Sequence, residues 1–394
     1  MPARQISEAL YSVGAIDWDR RLFDALIPLP DGTSYNSYLI RGSTASALID
    51  TVDPTMTHVL QEHLTRLNVA ELDYVIANHA EQDHSGSLPA VLERYPMARV
   101  LCTAKCAELL ASLLHVPAQR IMIVDDEQTV SLGDRTLEFI HAPWVHWPET
   151  MLTYAREDKL LFTCDLFGSH VATSELYARD HGRIAEAAKR YYAEIMMPFA
   201  RNIAKHLERL ANYEIKLIAP SHGPLHNEPA FILDLYKDWV LGQPKNQAVV
   251  AYVSMHGSTA LLTDRLVSAL IARGVSVERF DLTGADLGKL AMSLVDAATL
   301  LVGTPTVLAG PHPSAVYAAA LVNALRPKLK FLGVYGSYGW GTRIDQQLPG
   351  LLSNLRVEVL EPVLVKGRPT GPELAAMDDL AEKVAQKHRE AGLV

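Results

Sequence analysis

Ala77-Asn-His-Ala-Glu-Gln-Asp-His-Ser-Gly86 carries four side chains able to bind a metal, His79, Glu81, Asp83 and His84, within six residues. An apolar run, Leu72 to Ala77, precedes it and reads as a buried strand; Ser85-Gly86-Ser87 after it can open a helix. Ligands crowded into a loop at a strand's end are how a rigid scaffold presents a metal. In an extended loop alternate side chains share a face, so His79, Glu81 and Asp83 can converge. Taken alone, the stretch also fits a polar loop before a helix, with Asp83 or Ser85 as cap.

The rest of the chain supplies partners for this loop. Its 394 residues are enough for two or three domains, and 49% hydrophobic content excludes a disordered chain. A net charge of −9 without any basic block excludes a general nucleic-acid binder. No apolar run reaches the roughly 18 residues of a membrane span. The N-terminus lacks the apolar core of a signal peptide, so a cytoplasmic protein without membrane attachment is expected. Cys102, Cys106 and Cys164 are the only cysteines, which excludes a disulfide framework and a cysteine-ligated iron module.

Short β-prone runs open the chain: Ser34 to Arg41, Ser46 to Thr51, and Tyr74 to Ala77, with a helix over Thr57 to Leu67. Helices are predicted over Leu88 to Arg94 and Ala104 to Leu114, with a strand between them at Arg99 to Thr103. Strands follow at Leu137 to His141, Met151 to Ala155 and Leu160 to Thr163. A long helical tract covers Arg183 to Ala211, before a strand at Ile215 to Ala219. Leu241 to Gln247, rich in Gly, Pro and polar residues, reads as a linker, giving domains 1–243 and 247–394. Beyond it strand and helix alternate: Ala248 to Val253, Val275 to Asp281, Thr299 to Gly303, Lys330 to Tyr335 and Glu358 to Pro362, then a last helix, Gly371 to Ala391. That alternation predicts a doubly wound parallel sheet.

Three more candidate ligands each end a strand: His146 in Ala142-Pro-Trp-Val-His-Trp-Pro148, Asp165 after Leu161-Phe-Thr-Cys164, and His222 in Pro220-Ser-His-Gly223. The ordered set resembles the metallo-β-lactamase superfamily, an αββα sandwich with metals at one edge of its sheets. Hydrolases of that superfamily usually carry histidine where this chain has Glu81. Histidine-rich sites suit zinc, whereas mixed imidazole and carboxylate sites suit iron. With Asp165, the domain that follows, and the stretches Gly32 to Tyr38, His146-Trp-Pro-Glu-Thr150, Asp165 to Gly168 and Arg190-Tyr-Tyr192, the whole chain resembles the flavodiiron proteins. The resemblance implies that His79, Glu81 and His146 hold one iron, Asp83 and His222 the other, and that Asp165 bridges them. It leaves His84 as a ligand or a residue behind the ligands, sets His226 aside as a decoy, and implies no catalytic residue beyond the ligands. The interval from Asp165 to His222 is a few residues shorter than in the family. His170 and His181, inside it, read as solvent-facing or hydrogen-bonded. Trp147, Tyr191 and Tyr192 are pocket or core aromatics, the tyrosines core.

In the second domain, Ser254, Met255, His256, Gly257, Ser258 and Thr259 lie between a strand and a helix, where hydroxyls and backbone N–H groups can cradle a phosphate. An ordinary capped helix fits that stretch equally well. Pro305 and Thr306, and Ser337, Tyr338, Gly339, Trp340 and Gly341, end two further strands on the side where such sheets bind ligands. Together they resemble the flavodoxin family, which implies FMN. Leu308-Ala309 replaces an asparagine-containing stretch common in relatives, and no Gly-x-Gly-x-x-Gly dinucleotide fingerprint is present.

The resemblance implies an oxidoreductase that reduces O2 to water, NO to N2O, or both. Electrons would come through FMN from an external donor such as rubredoxin, a reductase or a reduced deazaflavin, in a head-to-tail homodimer. No rubredoxin-like tail is expected. Two alternatives are a zinc hydrolase with a fused flavodoxin-like domain, in which the metal activates water, and a non-enzymatic redox sensor or carrier. Glu81 speaks against the first, and the complete ligand set against the second.

Overall fold

The computed structural model describes residues 3–394; Met1 and Pro2, with which the first predicted domain opens, lie outside them. The chain divides into two compact units, one running to Tyr192 and resuming over Phe199–Val240, the other made of Ala193–Pro198 and Leu241–Val394.

The first unit holds two facing sheets. Seven strands form one: Arg4–Ser7, Leu10–Ser12, Tyr38–Arg41, Ser46–Ile49, Tyr74–Ile76, Arg99–Cys102 and Ile121–Ile123. Five form the other: Thr129–Ser131, Thr136–His141, Met151–Ala155, Leu160–Cys164 and Leu217–Pro220. Successive side chains of a strand point to opposite faces. Tyr38, Ile40, Ile49, Ile76 and Leu101 therefore meet Leu137, Phe139, Met151 and Phe162 between the sheets. Their neighbours Leu39, Leu48, Val75 and Val100 pack outward on Leu60, Leu64, Val91 and Leu110 of the covering helices. This is the αββα layering expected.

The second unit is a parallel sheet in spatial order Ser276–Asp281, Lys245–Tyr252, Ala297–Val307, Phe331–Tyr338, Glu358–Val359. That is the flavodoxin-like order 2-1-3-4-5. Ala248 and Val250 face the helices Ser258–Ala272 and Gly371–Glu390, while Val249 and Ala251 face Leu287–Asp296 and Pro313–Leu325.

Four local expectations fail for identifiable reasons. Ser34 to Arg41 is not one strand: Thr33–Tyr35 and Tyr38–Arg41 lie in different sheets, because Asn36 N turns away to donate to Ser221 O at 2.8 Å. The helical tract from Arg183 is broken into His181–Tyr191, a wide turn over Tyr192–Met196, a 3-10 turn at Met197–Phe199, and Ala200–Leu210; Pro198 has no N–H to continue the ladder. Glu358 to Pro362 splits into Glu358–Val359 and Val363–Lys366 around Pro362, which cannot donate to a ladder. The linker is short: helix Pro229–Leu241 and strand Lys245–Tyr252 leave only 242–244 between them.

Candidate metal centre

Every candidate ligand leaves the carboxyl end of a strand. His79 and Glu81 follow Tyr74–Ile76, His146 follows Thr136–His141, Asp165 follows Leu160–Cys164, and His222 follows Leu217–Pro220. The last two strands are parallel neighbours, Phe162 opposite Ala219, so Asp165 and His222 emerge side by side. Asp83 and His84 are not on extended chain as the alternation suggested. Ser85 N donates to Glu81 O and Gly86 N to Gln82 O, both at 2.8 Å, which winds Gln82–Ser85 into a helical turn. Ser85 Oγ, a candidate cap, instead donates back to Ala80 O at 2.6 Å.

Hydrogen bonds away from the ligands fix the loops. Asp50 is buried and accepts from Asn78 N at 2.8 Å and from Asn78 Nδ2 at 2.9 Å, while Thr153 donates to Asn78 Oδ1 at 2.7 Å. Asn36 Nδ2 donates to Pro220 O at 2.8 Å and Gly223 O at 2.7 Å, and holds the His222 turn. Gly223 has φ +80°, and a Cβ there would stand 2.1 Å from Ser169 Oγ, so the turn requires glycine.

Two main groups of ligand atoms result, one of His79, Glu81, His146 and Asp165, the other of Asp83, His84 and His222, and a third set, His84, Cys164 and Asp165, overlaps them. Asp165 touches both main groups. Its Oδ2 lies 3.3 Å from His146 Nε2 and 3.6 Å from His79 Nε2, and its Oδ1 lies 3.0 Å from His84 Nε2 and 3.4 Å from His222 Nε2. Glu81 Oε2 stands 3.0 Å from His79 Nε2 and 2.9 Å from His146 Nε2. Asp83 Oδ2 stands 3.1 Å from His222 Nε2 and 3.2 Å from His84 Nε2. Although these nitrogens are close, all four oxygens of Asp83 and Asp165 are buried without a hydrogen bond. Lone pairs of oxygen and nitrogen converge on shared points, and buried polar atoms left so are costly unless a cation satisfies them. The donor set fits metal ions, and its mixture of imidazole and carboxylate fits iron.

The charge balance agrees. Burial alone would lower the pKa of His79, but Glu149 and Glu81 outweigh it and hold it well above its ordinary value. His222 is likewise raised to about 10 against its burial by Asp165 and Asp83, and His146 to about 9 by Asp165 and Glu81. Burial works against Asp165 as well, yet His84, His146 and His222 hold it well below the usual carboxylate range. Protons thus bind where metal would, and the two compete.

His84 sits inside the second group rather than behind it, and its Nδ1 is buried without a partner. His226 lies outside both groups, buried, with Nε2 3.2 Å from Phe167 O. His170 is buried, its Nδ1 2.9 Å from Thr33 Oγ1 and its ring 4.7 Å from that of His222. His181 stacks on Phe231 at 4.1 Å. Tyr191 and Tyr192 are buried; the Tyr191 ring is 5.7 Å from His222, and Trp147 packs edge-on to His79 at 4.9 Å. A cavity of about 440 Å³ opens onto Glu81 and Asp83 between Phe23, Leu113 and Trp147. Two residues were not singled out from sequence. Glu149 accepts from His79 Nδ1 at 2.7 Å, and a carboxylate three residues past His146 was its only signal. Asp24 reaches Glu81 from the cavity mouth, and burial and the Glu81 charge raise it to about 6.

In the second unit the three suspected flavin stretches meet at one end of the sheet. Pairing runs further than predicted, Thr304 with Gly336 and Pro305 with Ser337, so the strands themselves extend over Ala297–Val307 and Phe331–Tyr338 and include Pro305, Thr306, Ser337 and Tyr338. Thr259 Oγ1 lies 3.4 Å from Ser337 Oγ, and Thr306 donates to Thr342 Oγ1 at 2.7 Å. Ser254 to Gly257 precede the helix Ser258–Ala272, whose Ala260 N donates to Ser254 Oγ at 3.1 Å. Gly257 has φ +84° with open space around it, which fits a backbone cradle for a phosphate. Met255 and Trp340 are exposed.

Residues 33–223 match the family model described as ODP family beta lactamase. A nitric oxide reductase of Moorella thermoacetica is 38% identical over 97% of this chain and 98% of its own. The flavodiiron protein of Giardia intestinalis superposes with a TM-score of 0.90 at 28% identity, over 98% of this chain and 96% of its own. The chain belongs to the flavodiiron protein family. A further structural neighbour is the rubredoxin:oxygen oxidoreductase of Desulfovibrio gigas, with a TM-score of 0.94 and 28% identity over 98% of this chain and 99% of that one. The Moorella and Desulfovibrio relatives are named for redox activities, so a hydrolase is not favoured. Among the described residues no helix is long and apolar enough to cross a membrane.

Proposed function

We propose that this chain is a flavodiiron oxidoreductase that reduces O2 to water, NO to N2O, or both. The observation that carries the reading is the pair of ligand groups sharing Asp165, with a carboxylate, Glu81, where a hydrolytic zinc site has histidine. His79, Glu81 and His146 would hold one iron, and Asp83 and His222 the other. Asp165 offers one oxygen to each side. His84 Nε2 faces the second side at ligand distance from Asp83 and Asp165.

When bound, the iron pair supplies one-electron chemistry and open positions for a small gas, and FMN supplies further electrons. The chain's own groups do the rest. Ser34 O accepts from His222 Nδ1 at 2.7 Å, which leaves Nε2 free to ligate. Phe23, Leu113 and Trp147 give the cavity above Glu81 and Asp83 an apolar lining, beside the charged Arg20, Asp24 and Asp53, through which a small gas can approach. Ser254 to Thr259 would hold the FMN phosphate at the start of the helix Ser258–Ala272. Pro305, Thr306 and Ser337 to Gly341, at the ends of two paired strands, would hold the flavin ring.

The active form is a head-to-tail homodimer in which the flavin of one subunit serves the irons of the other; a strictly monomeric, fully active preparation overturns that. The donor is an external rubredoxin, flavoprotein reductase or reduced deazaflavin. The protein works in the cytoplasm, where Cys102, Cys106 and Cys164, all free and buried, stay reduced. The test is to reduce the iron- and flavin-loaded protein and compare its consumption of O2 and NO. Two zincs per chain, with neither gas consumed, overturn the reading.

A further inference from the structure

Each side of the centre owns one carboxylate, Glu81 or Asp83, and shares Asp165. Ligand charge is therefore balanced between the two sides. What stands behind the imidazoles is not. His79 Nδ1 donates to Glu149 Oε1 at 2.7 Å, and Ala80 N donates to the same oxygen at 3.1 Å. Glu149 is 2% exposed, so its charge is not screened by solvent. On the other side, the acceptor behind His222 is the neutral Ser34 carbonyl at 2.7 Å. His84 Nδ1 is buried with no acceptor at all. Asp24 also approaches the Glu81 side, but it is only partly desolvated there and the residue is open to solvent at the cavity mouth, where screening weakens its charge relative to buried Glu149.

A carboxylate that accepts from a ligating imidazole makes it a stronger electron donor and stabilises the higher charge on the metal. In a buried setting the effect is undiluted. We propose that Glu149 is a positioning residue that makes the two irons unequal, so that the iron held by His79, Glu81 and His146 is the harder to reduce and carries the ferric valence when the pair is half oxidised. The proposal rests on the diiron reading above. It also assigns Glu149 a second task, fixing His79 in the Nδ1–H tautomer with Nε2 toward Glu81 and Asp165.

The experiment uses the full chain loaded with iron and FMN, as wild type, Glu149→Gln and Glu149→Asp. Gln keeps the acceptor and the shape without the charge. Asp keeps the charge at shorter reach. Each fully reduced protein is oxidised stepwise with ferricyanide. Each ferricyanide takes one electron and becomes ferrocyanide; four leave the fully reduced protein, two from the iron pair without any bond or proton moving and two from the reduced FMN, which releases its protons to solvent. Electron paramagnetic resonance follows the half-oxidised form, and the two iron potentials are read from the titration. In Glu149→Gln the lower potential rises, the two potentials draw together, and the constant for forming the half-oxidised state falls about tenfold. Glu149→Asp shifts the same way by less. With two irons bound per chain, an unchanged or widened separation in Glu149→Gln overturns the proposal. Should that variant lose iron, an unchanged separation in Glu149→Asp overturns it instead. A wild-type protein that holds two zincs and no iron overturns the diiron reading and this inference with it. Iron-loaded wild type with potentials indifferent to residue 149 overturns the inference alone.

Discussion

Asn36→Ala should release one iron and leave the other in place. The Asn36 amide donates to Pro220 O at 2.8 Å and to Gly223 O at 2.7 Å, one residue to each side of the Ser221-His222 pair. Removing it affects the two carbonyls unequally. Tyr38 still donates to Pro220 O at 2.7 Å, so the loss there is that of an ordinary hydrogen bond, about 1 kcal/mol. Asn36 is the donor that the structure gives Gly223 O, and a buried acceptor left bare costs about 1–3 kcal/mol. The sum is about 2–4 kcal/mol, concentrated on one turn. The turn can recover part of it by moving toward water, and that movement carries His222 away from Asp83 and Asp165. The ligands on the other side hang from different elements, with Asn78 held by Asp50 and Thr153. The assay is iron content under increasing chelator, alongside urea unfolding of the metal-free protein. Expected are one firmly held iron, a second lost at about 10–100-fold less chelator, and a folded chain. Two irons held as tightly as in wild type would refute the claim that Asn36 fixes the turn.

Glu81→His should shift the metal preference from iron to zinc and abolish gas reduction; retained iron with retained O2 or NO consumption would show that the residue does not set the chemistry. Thr342→Val removes the 2.7 Å bond that ties Thr306 to the loop after Ser337–Gly341, and should weaken FMN binding about fivefold for a loss of about 1 kcal/mol, read by flavin fluorescence; unchanged affinity would refute it. His388 carries a pH dependence. Burial lowers its pKa from 6.5 to about 4, while its Nδ1 donates to Asn246 Oδ1 and its Nε2 meets the Thr299 hydroxyl, each at 2.7 Å. The unfolded chain takes a proton there below pH 6.5 and the folded one only near pH 4, so stability is full above 6.5, falls between the two values, and levels off below. The fall is at most about 3 kcal/mol. Urea unfolding of the second unit should lose that slope in His388→Gln; parallel pH profiles of variant and wild type would refute it.

How much of this was legible beforehand depended on whether the deciding interactions are local. Ala104–Leu114 and Met151–Ala155 stand where apolar periodicity placed them, because burial on one face is written into a few neighbouring residues. The order of ligands was legible for a related reason: strand ends deliver side chains to one edge whatever the loops do. The Ser34 to Arg41 run was misread because its break at Asn36 answers to Ser221, far along the chain, and no local pattern encodes that. The helical turn over Gln82–Ser85 was missed since four polar residues carry no periodicity. Glu149 and Asp24 could not be assigned at all, since each gains its meaning from a partner, His79 or Glu81, brought to it by the fold.

The arrangement also separates what holds the fold from what holds the metal. The two sheets of the first unit close on Phe139, Met151, Phe162 and their partners, none of which touches a ligand through a polar atom. The ligands hang beyond that core on turns whose own hydrogen bonds, from Asp50, Asn36, Ser85 and Thr153, run to backbone or to one another and not to the metal-facing atoms. The convergent oxygens of Asp83 and Asp165 are therefore a cost that the sandwich carries when metal is absent and that a bound cation relieves. A scaffold able to tolerate that cost can exchange one ligand type for another without refolding. On this view Glu81 decides the chemistry and the sandwich does not: the same strand ends with histidine at 81 would present a zinc site, and with glutamate they present one suited to iron.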